Sequence, residues 1–145
     1  MAVSAKFYGK AFLSAFNKEI DLDTDVIKVM LCTSTYAPDQ DAHQYKSSVT
    51  NEVTGTGYTA GGATLTSPAV TYTGATNVFM FDGADTSWAA STITARYAVI
   101  YDSSPATDAT RPLIAYVDFG ADVSSTAATF TITWDAAGIA TVTVA

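Results

Sequence analysis

From Thr92 to Asp102 the chain reads TITARYAVIYD. Side chains alternate between the two faces of a strand, so Ile93, Ala95, Tyr97, Val99 and Tyr101 are expected together on one apolar and aromatic face. The opposite face begins polar, at Thr92, Thr94 and Arg96, and ends apolar, at Ala98 and Ile100. A strand covered on one side throughout, and on the other for half its length, belongs in the middle of a sheet. The charge at its centre, Arg96, must reach the rim or find a partner, because an unpaired buried charge is costly.

The same alternation marks Val26–Thr33 as a second central strand, with Ile27, Val29 and Leu31 facing one way and Val26, Met30 and Cys32 the other. Further short strands are expected at Ala63–Thr66, Ala69–Thr73, Asn77–Asp82, Leu113–Phe119, Thr129–Trp134 and Ile139–Val144. Asp82-Gly83 reads as a hairpin turn, Ser103–Pro112 as a longer loop and Gly138 as the pivot of a last hairpin. Only residues 4–19 carry a helical period: Tyr8, Phe12 and Phe16 form a stripe with Ala11 and Ala15, and Ser4 stands at the N-cap position. Residues 36–51 are irregular, with a short helical turn expected at Ala42–Lys46. The expectation is a mainly β fold: one antiparallel β-sandwich or jelly-roll-like domain, 1–145, of about eight strands with a helical arm at 1–20 and a β core at 21–145.

Charge narrows the partners. A net charge of −7 with seven Lys and Arg argues against nucleic acid and anionic membranes, which call for basic surfaces. The early apolar residues are broken by Lys6 and Lys10, so no secretory signal is expected, and no apolar run approaches the ~20 residues that span a bilayer. A single cysteine, Cys32, excludes an internal disulfide and reads as a small buried hydrophobe.

Candidate chemistry is thin. Asp21, Asp23 and Asp25 open like a calcium loop, but Val26 and Cys32 stand where that loop needs Gly and Glu, so a solvated acidic turn is expected and no metal. His43, with Asp39 and Asp41 as neighbours, is the one histidine and the one candidate imidazole base; no G-x-S-x-G elbow supplies a serine for it. Nothing singles out two carboxylates for glycoside hydrolysis, and Trp88, Trp134 and the tyrosines read as core or interface anchors before they read as a sugar platform. Gly55, Gly57, Gly61 and Gly62 lack the setting and the Lys of a phosphate loop; they mark tight turns or a close approach to other backbone. The expectation is no catalytic residue, no cofactor and no enzyme.

In order, the blocks FYGKAF, IDLDTDVIKVMLCTSTYAPDQDAH, VTNEVTGTGYTAGGATL, STITARYAVIYD, PLIAYVDFGAD and FTITWDAAGIATVTVA resemble a family of small bacteriophage proteins encoded among the virion structural genes of tailed phages. The resemblance runs over nearly the whole chain and brings no catalytic motif. It implies a virion structural protein, made in the host cytoplasm and incorporated in the particle. The leading expectation is a capsid decoration (cement) protein outside the head, bound to the major capsid protein as a homo-oligomer such as a trimer. An acidic chain suits that outer surface. The alternative is a tail, baseplate or fibre component, with aromatic loops that meet glycans. Expected contacts are Lys6, Phe7 and Lys10 on the N-terminal arm, Tyr36 and Tyr45 in the irregular loop, and Tyr58 in the glycine-rich stretch.

Overall fold

The computed structural model of this chain describes residues 2–145; Met1, at the start of the expected arm, lies outside the described residues. The fold is mainly β, with eight strands and one α-helix among those residues, in two antiparallel sheets. Its longest feature is a hairpin of β6 (Thr86–Asp102) and β7 (Leu113–Ile132). The five-stranded sheet has the order β1-β7-β6-β2-β3, where β1 is Ser4–Phe7, β2 is Ile27–Cys32 and β3 is Ala63–Thr64. The three-stranded sheet has the order β4-β5-β8, formed by Ala69–Thr73, Val78–Asp82 and Ala140–Thr143.

The count of eight agrees with expectation, but two changes offset each other. The separate strands expected at Leu113–Phe119 and Thr129–Trp134 are one element, because the intervening Ser- and Thr-rich residues pair with the first half of β6. A strand that was not expected, β1, replaces the first turns of the predicted helix. Its residues Ser4 to Phe7 pair with Asp118 to Ala115 and satisfy an edge of β7 that would otherwise lie open. Helix α1 is therefore only Gly9–Phe16, with Tyr8 rather than Ser4 at its N-cap and no side-chain cap. The short helical turn also moves, from the expected Ala42–Lys46 to Lys46–Ser48.

The central strands are buried on both faces, as their composition requires. On one side Ile27, Val29, Leu31, Ala98, Ile100, Ala115 and Val117 meet Phe81, Ile139 and Ala140 of the small sheet and its approach. On the other side Met30, Cys32, Val99, Tyr101, Leu113 and Tyr116 are covered by Tyr8, Ala11 and Tyr36. The face assignment for β2 holds. That for β6 does not: Ile93 and Ala95 join the inter-sheet core, whereas Tyr97, Val99 and Tyr101 face the helix and loop. The register breaks between Ala95 and Tyr97, where β6 advances two residues and β7 five, and the faces of β6 exchange there.

Two expected hairpins are crossovers instead. Gly83 leads from β5 of the small sheet into β6 of the large one, and Gly138 leads from β7 back to β8. Trp134 ties the two crossovers together, with its indole N–H donating to Ala84 O at 3.0 Å and its backbone N–H to Asp85 Oδ1 at 3.0 Å. The glycine-rich stretch lies against sheet backbone. A Cβ on Gly57 would stand 2.8 Å from Ser91 Cα, and one on Gly62 would stand 2.6 Å from Met30 Cα. Both residues also have positive φ, which L side chains rarely adopt.

Candidate interaction surface

Five of the six expected contact residues are occupied within the chain. Phe7 points into the core, with ring centroids 5.2 Å from Phe12 and 6.3 Å from Phe79. Lys10 donates to Ala42 O at 3.0 Å. Tyr45 donates to the Glu19 carboxylate at 3.2 Å, and Tyr58 donates to Glu52 Oε1 at 2.8 Å while stacking on Trp88. Tyr36, expected on the surface, is only 2 % exposed. Its hydroxyl lies 2.9 Å from Tyr8 Oη and 3.0 Å from His43 Nδ1, a chain that fastens the 36–51 loop to the start of α1. Tyr36 and Tyr45 are buried or half-buried because the loop is the second cover of the large sheet, and a cover without aromatic bulk would leave that face wet, whereas Tyr58 packs on the inter-sheet side. Lys6 stands exposed on β1.

Burial also sets the chemistry of the potential nucleophiles. It pushes the Cys32 thiol up to about 12, and the Tyr36 hydroxyl up to about 12, so neither is ionised at neutral pH. Asp102 is fully buried, and burial first, with the Asp25 carboxyl second among the raising causes, lifts it to about 6. One of its oxygens accepts from Ser104 N at 2.8 Å and the other has no partner. In the acidic turn, Asp21 Oδ1 accepts from Asp23 N at 3.0 Å and Asp25 Oδ2 from Asp21 N at 2.6 Å, so these carboxylates are engaged by their own backbone.

A small polar recess of about 270 Å³ gathers Lys28, Lys46 and Arg111 with Glu52 and Asp108 beside Tyr101. Asp108 bridges two of the cations, at 2.8 Å to Lys46 Nζ and 2.8 Å to Arg111 Nη1, and the Lys46 hydrogen bond holds its carboxyl below the ordinary range. Glu52 accepts from Tyr58 and from Gly61 N. The recess keeps one cation in excess of its two carboxylates, and the Lys46–Asp108 pair pins the 103–112 loop to the 36–51 loop, where Lys46 N also donates to Arg111 O.

What the fold leaves open is apolar. A three-stranded sheet cannot cover a five-stranded one, which leaves one groove between them, and a second opens beside the helix. One, of about 620 Å³, lies between the sheets and is lined by Val3, Val117, Phe119, Val123, Phe130 and Trp134 among others. The other, of about 470 Å³, runs between the end of α1 and the small sheet, past Ala15, Ile20, Leu22, Val70 and Phe79, with Lys18, Asp21 and Asp23 also lining it. The exposed apolar side chains include Phe16 at 86 %, Val3 at 65 %, Tyr72 at 57 % and Leu13 at 52 %. Helical spacing put Phe16 on a core stripe; α1 is too short and too marginal to bury it, so Leu13 and Phe16 face outward together. No charged residue occurs between Glu52 and Asp82, so β4 and most of β5 carry no charge at all.

No helix among the described residues is long and apolar enough to cross a membrane, and no group of three metal-ligating side chains is assembled among them. No protein-family profile, curated protein or solved structure matches this chain.

Proposed function

We propose that this chain is a non-enzymatic virion structural protein of a tailed phage, a decoration protein that sits on the outside of the head and reinforces contacts between major capsid subunits. The observation that carries the reading is the exposed apolar surface: two grooves, one with Val3 exposed on it, and beyond their linings the exposed side chains of Leu13, Phe16 and Tyr72. Exposed apolar surface of this kind, rimmed by polar residues, is the mark of a protein-binding face. The family resemblance of the sequence supplies the phage context, and the acidic balance of −7 suits a solvent-facing position over a DNA-facing one.

Mechanically, such a protein needs a rigid body and a sticky rim. The two-sided core around β2, β6 and β7 supplies the first. The grooves supply the second, since apolar area removed from water contributes about 25 cal/mol per Å² before the costs of association. The test is gold labelling of intact particles with an antibody to this protein, viewed by negative-stain electron microscopy. Regular label over the head is the expected result. Label confined to the tail or its tip would overturn the decoration role in favour of a tail component.

A further inference from the structure

We propose that β4 pairs antiparallel with the β4 of a second copy of this chain, across a two-fold axis at Thr71. The two sheets have four edges, and three are blunted against such pairing. Lys6 stands in the middle of β1, β3 is only two residues long, and β8 lies beside β1. The fourth edge, β4, reads Ala69-Val70-Thr71-Tyr72-Thr73; it is exposed along its whole length and has no charge, glycine or proline within it.

The hydrogen-bond phase of the small sheet shows what that edge offers. Asn77 O accepts from Val144 N at 2.8 Å on the β8 side, so odd-numbered peptides of β5 turn to β8 and even-numbered ones to β4. Thr71 lies opposite Met80 and Thr73 opposite Val78, which occupies the peptide groups of Ala69, Thr71 and Thr73 inside the sheet. Those of Val70 and Tyr72 point out of it, unpaired.

The strand is complementary to itself in one register. With Thr71 on the axis, Val70 of each copy lies opposite Tyr72 of the other, and Ala69 opposite Thr73. The outward peptide groups then meet each other, and every main-chain group on the edge is satisfied. Faces agree too. Val70 and Tyr72 stand opposite Phe81 and Phe79, so they belong to the inner, apolar face. The valine–tyrosine pairs therefore extend that face across the axis, as favourable aromatic and β-branched neighbours, with a threonine pair on the other side. A second copy of a chain carrying −7 is repelled by the first, and the approach costs least along a strand with no charge. This inference stands apart from the virion reading, because its test uses the purified chain alone.

Sedimentation velocity of the full chain, from micromolar to millimolar, is expected to show its mass rising from 15.1 kDa to twice that value. Thr71→Lys and Thr71→Glu each place like charges opposite one another on the axis, and each is expected to stay monomeric with unchanged circular dichroism and melting. Mixed, the two variants are expected to associate, because Lys then meets Glu. Val70→Pro removes an N–H that the sheet does not use, and is expected to be monomeric and folded as well. A wild-type chain monomeric up to millimolar would overturn the proposal and leave the edge to a strand of another protein. Dimers of Thr71→Lys as tight as wild type, or no association in the mixture, would place the contact elsewhere.

Discussion

Arg96 Nε donates to Asp118 Oδ1 at 2.7 Å, at the point where both long strands lose their regular register. Between the pairs Ala95–Val123 and Tyr97–Asp118, β6 advances two residues and β7 five. Gly120, at φ 78°, turns the excess of β7, and its N–H donates to the same Oδ1 at 2.7 Å. Arg96 Nη2 completes a two-pronged contact with Oδ2 at 3.3 Å. The pair staples two irregularities that would otherwise slide, so it acts on register as well as on charge.

Arg96→Ala is expected to lower the melting temperature by several degrees at neutral pH and to weaken amide protection around 94–98 and 117–123 in hydrogen exchange. The Arg96 hydrogen bond holds the Asp118 carboxyl below the usual carboxylate range. A depressed native pKa contributes stability that is present above the unfolded value of about 3.9 and is lost as pH falls through the lower native value. The gap between variant and wild type should therefore close in acid. Melting curves at neutral pH and near pH 2 check it, and a gap that persists in acid would assign the effect to lost packing.

Asp102 has the opposite sign. Its native pKa, about 6, lies above the unfolded value, so the native state binds the extra proton in between. Its penalty on folding is absent below the unfolded value of about 3.9, grows as pH rises from there to about 6, and is constant above that. Asp102→Asn removes the ionisation and is expected to raise the melting temperature at pH 8 while changing it little at pH 4. Thermal melts of both proteins across that range measure the difference.

Gly62→Ala meets two penalties at one place, a φ of +79° and a methyl group driven onto the Val29 carbonyl and Met30 Cα of β2. The expected loss is about 3–4 kcal/mol, at the upper end for a single substitution, since backbone rather than a flexible side chain must yield. Gly74, with nothing near its missing Cβ, is the control: Gly74→Ala should fall within about 0.5 kcal/mol of wild type. Urea denaturation of the two variants reports both numbers.

Leu13 and Phe16 make few demands on the fold, so the double variant Leu13→Ser, Phe16→Ser should melt within a degree or two of wild type. If the apolar rim is the docking face, the same variant should lose incorporation into particles, measured by mass spectrometry of purified virions from a complemented deletion. Incorporation at the wild-type level would remove this part of α1 from the interface.

Much of the fold could be read from side-chain alternation. The β class, the central place of β2 and of the stretch ending in Tyr101, the buried Cys32 and the close backbone approach of the glycine-rich stretch all follow from local pattern. They follow because a two-residue period and a missing Cβ leave their mark on consecutive residues. The inner and outer sides of β6 were not legible beyond Ala95, because the register break there inverts every later side chain and the pattern beyond it is apolar on both faces. Nor could local pattern tell that residues 4–7 would leave a helix for the free edge of β7, or that Gly83 and Gly138 carry the chain between sheets instead of round a hairpin. The exposure of Phe16 and the burial of Tyr36 were likewise invisible, since aromatic residues look alike in sequence whether a partner element covers them or not. Alternation and glycine placement are properties of neighbours along the chain; edges, bulges and covered faces are properties of which distant strands meet, and only the folded sheets decide those.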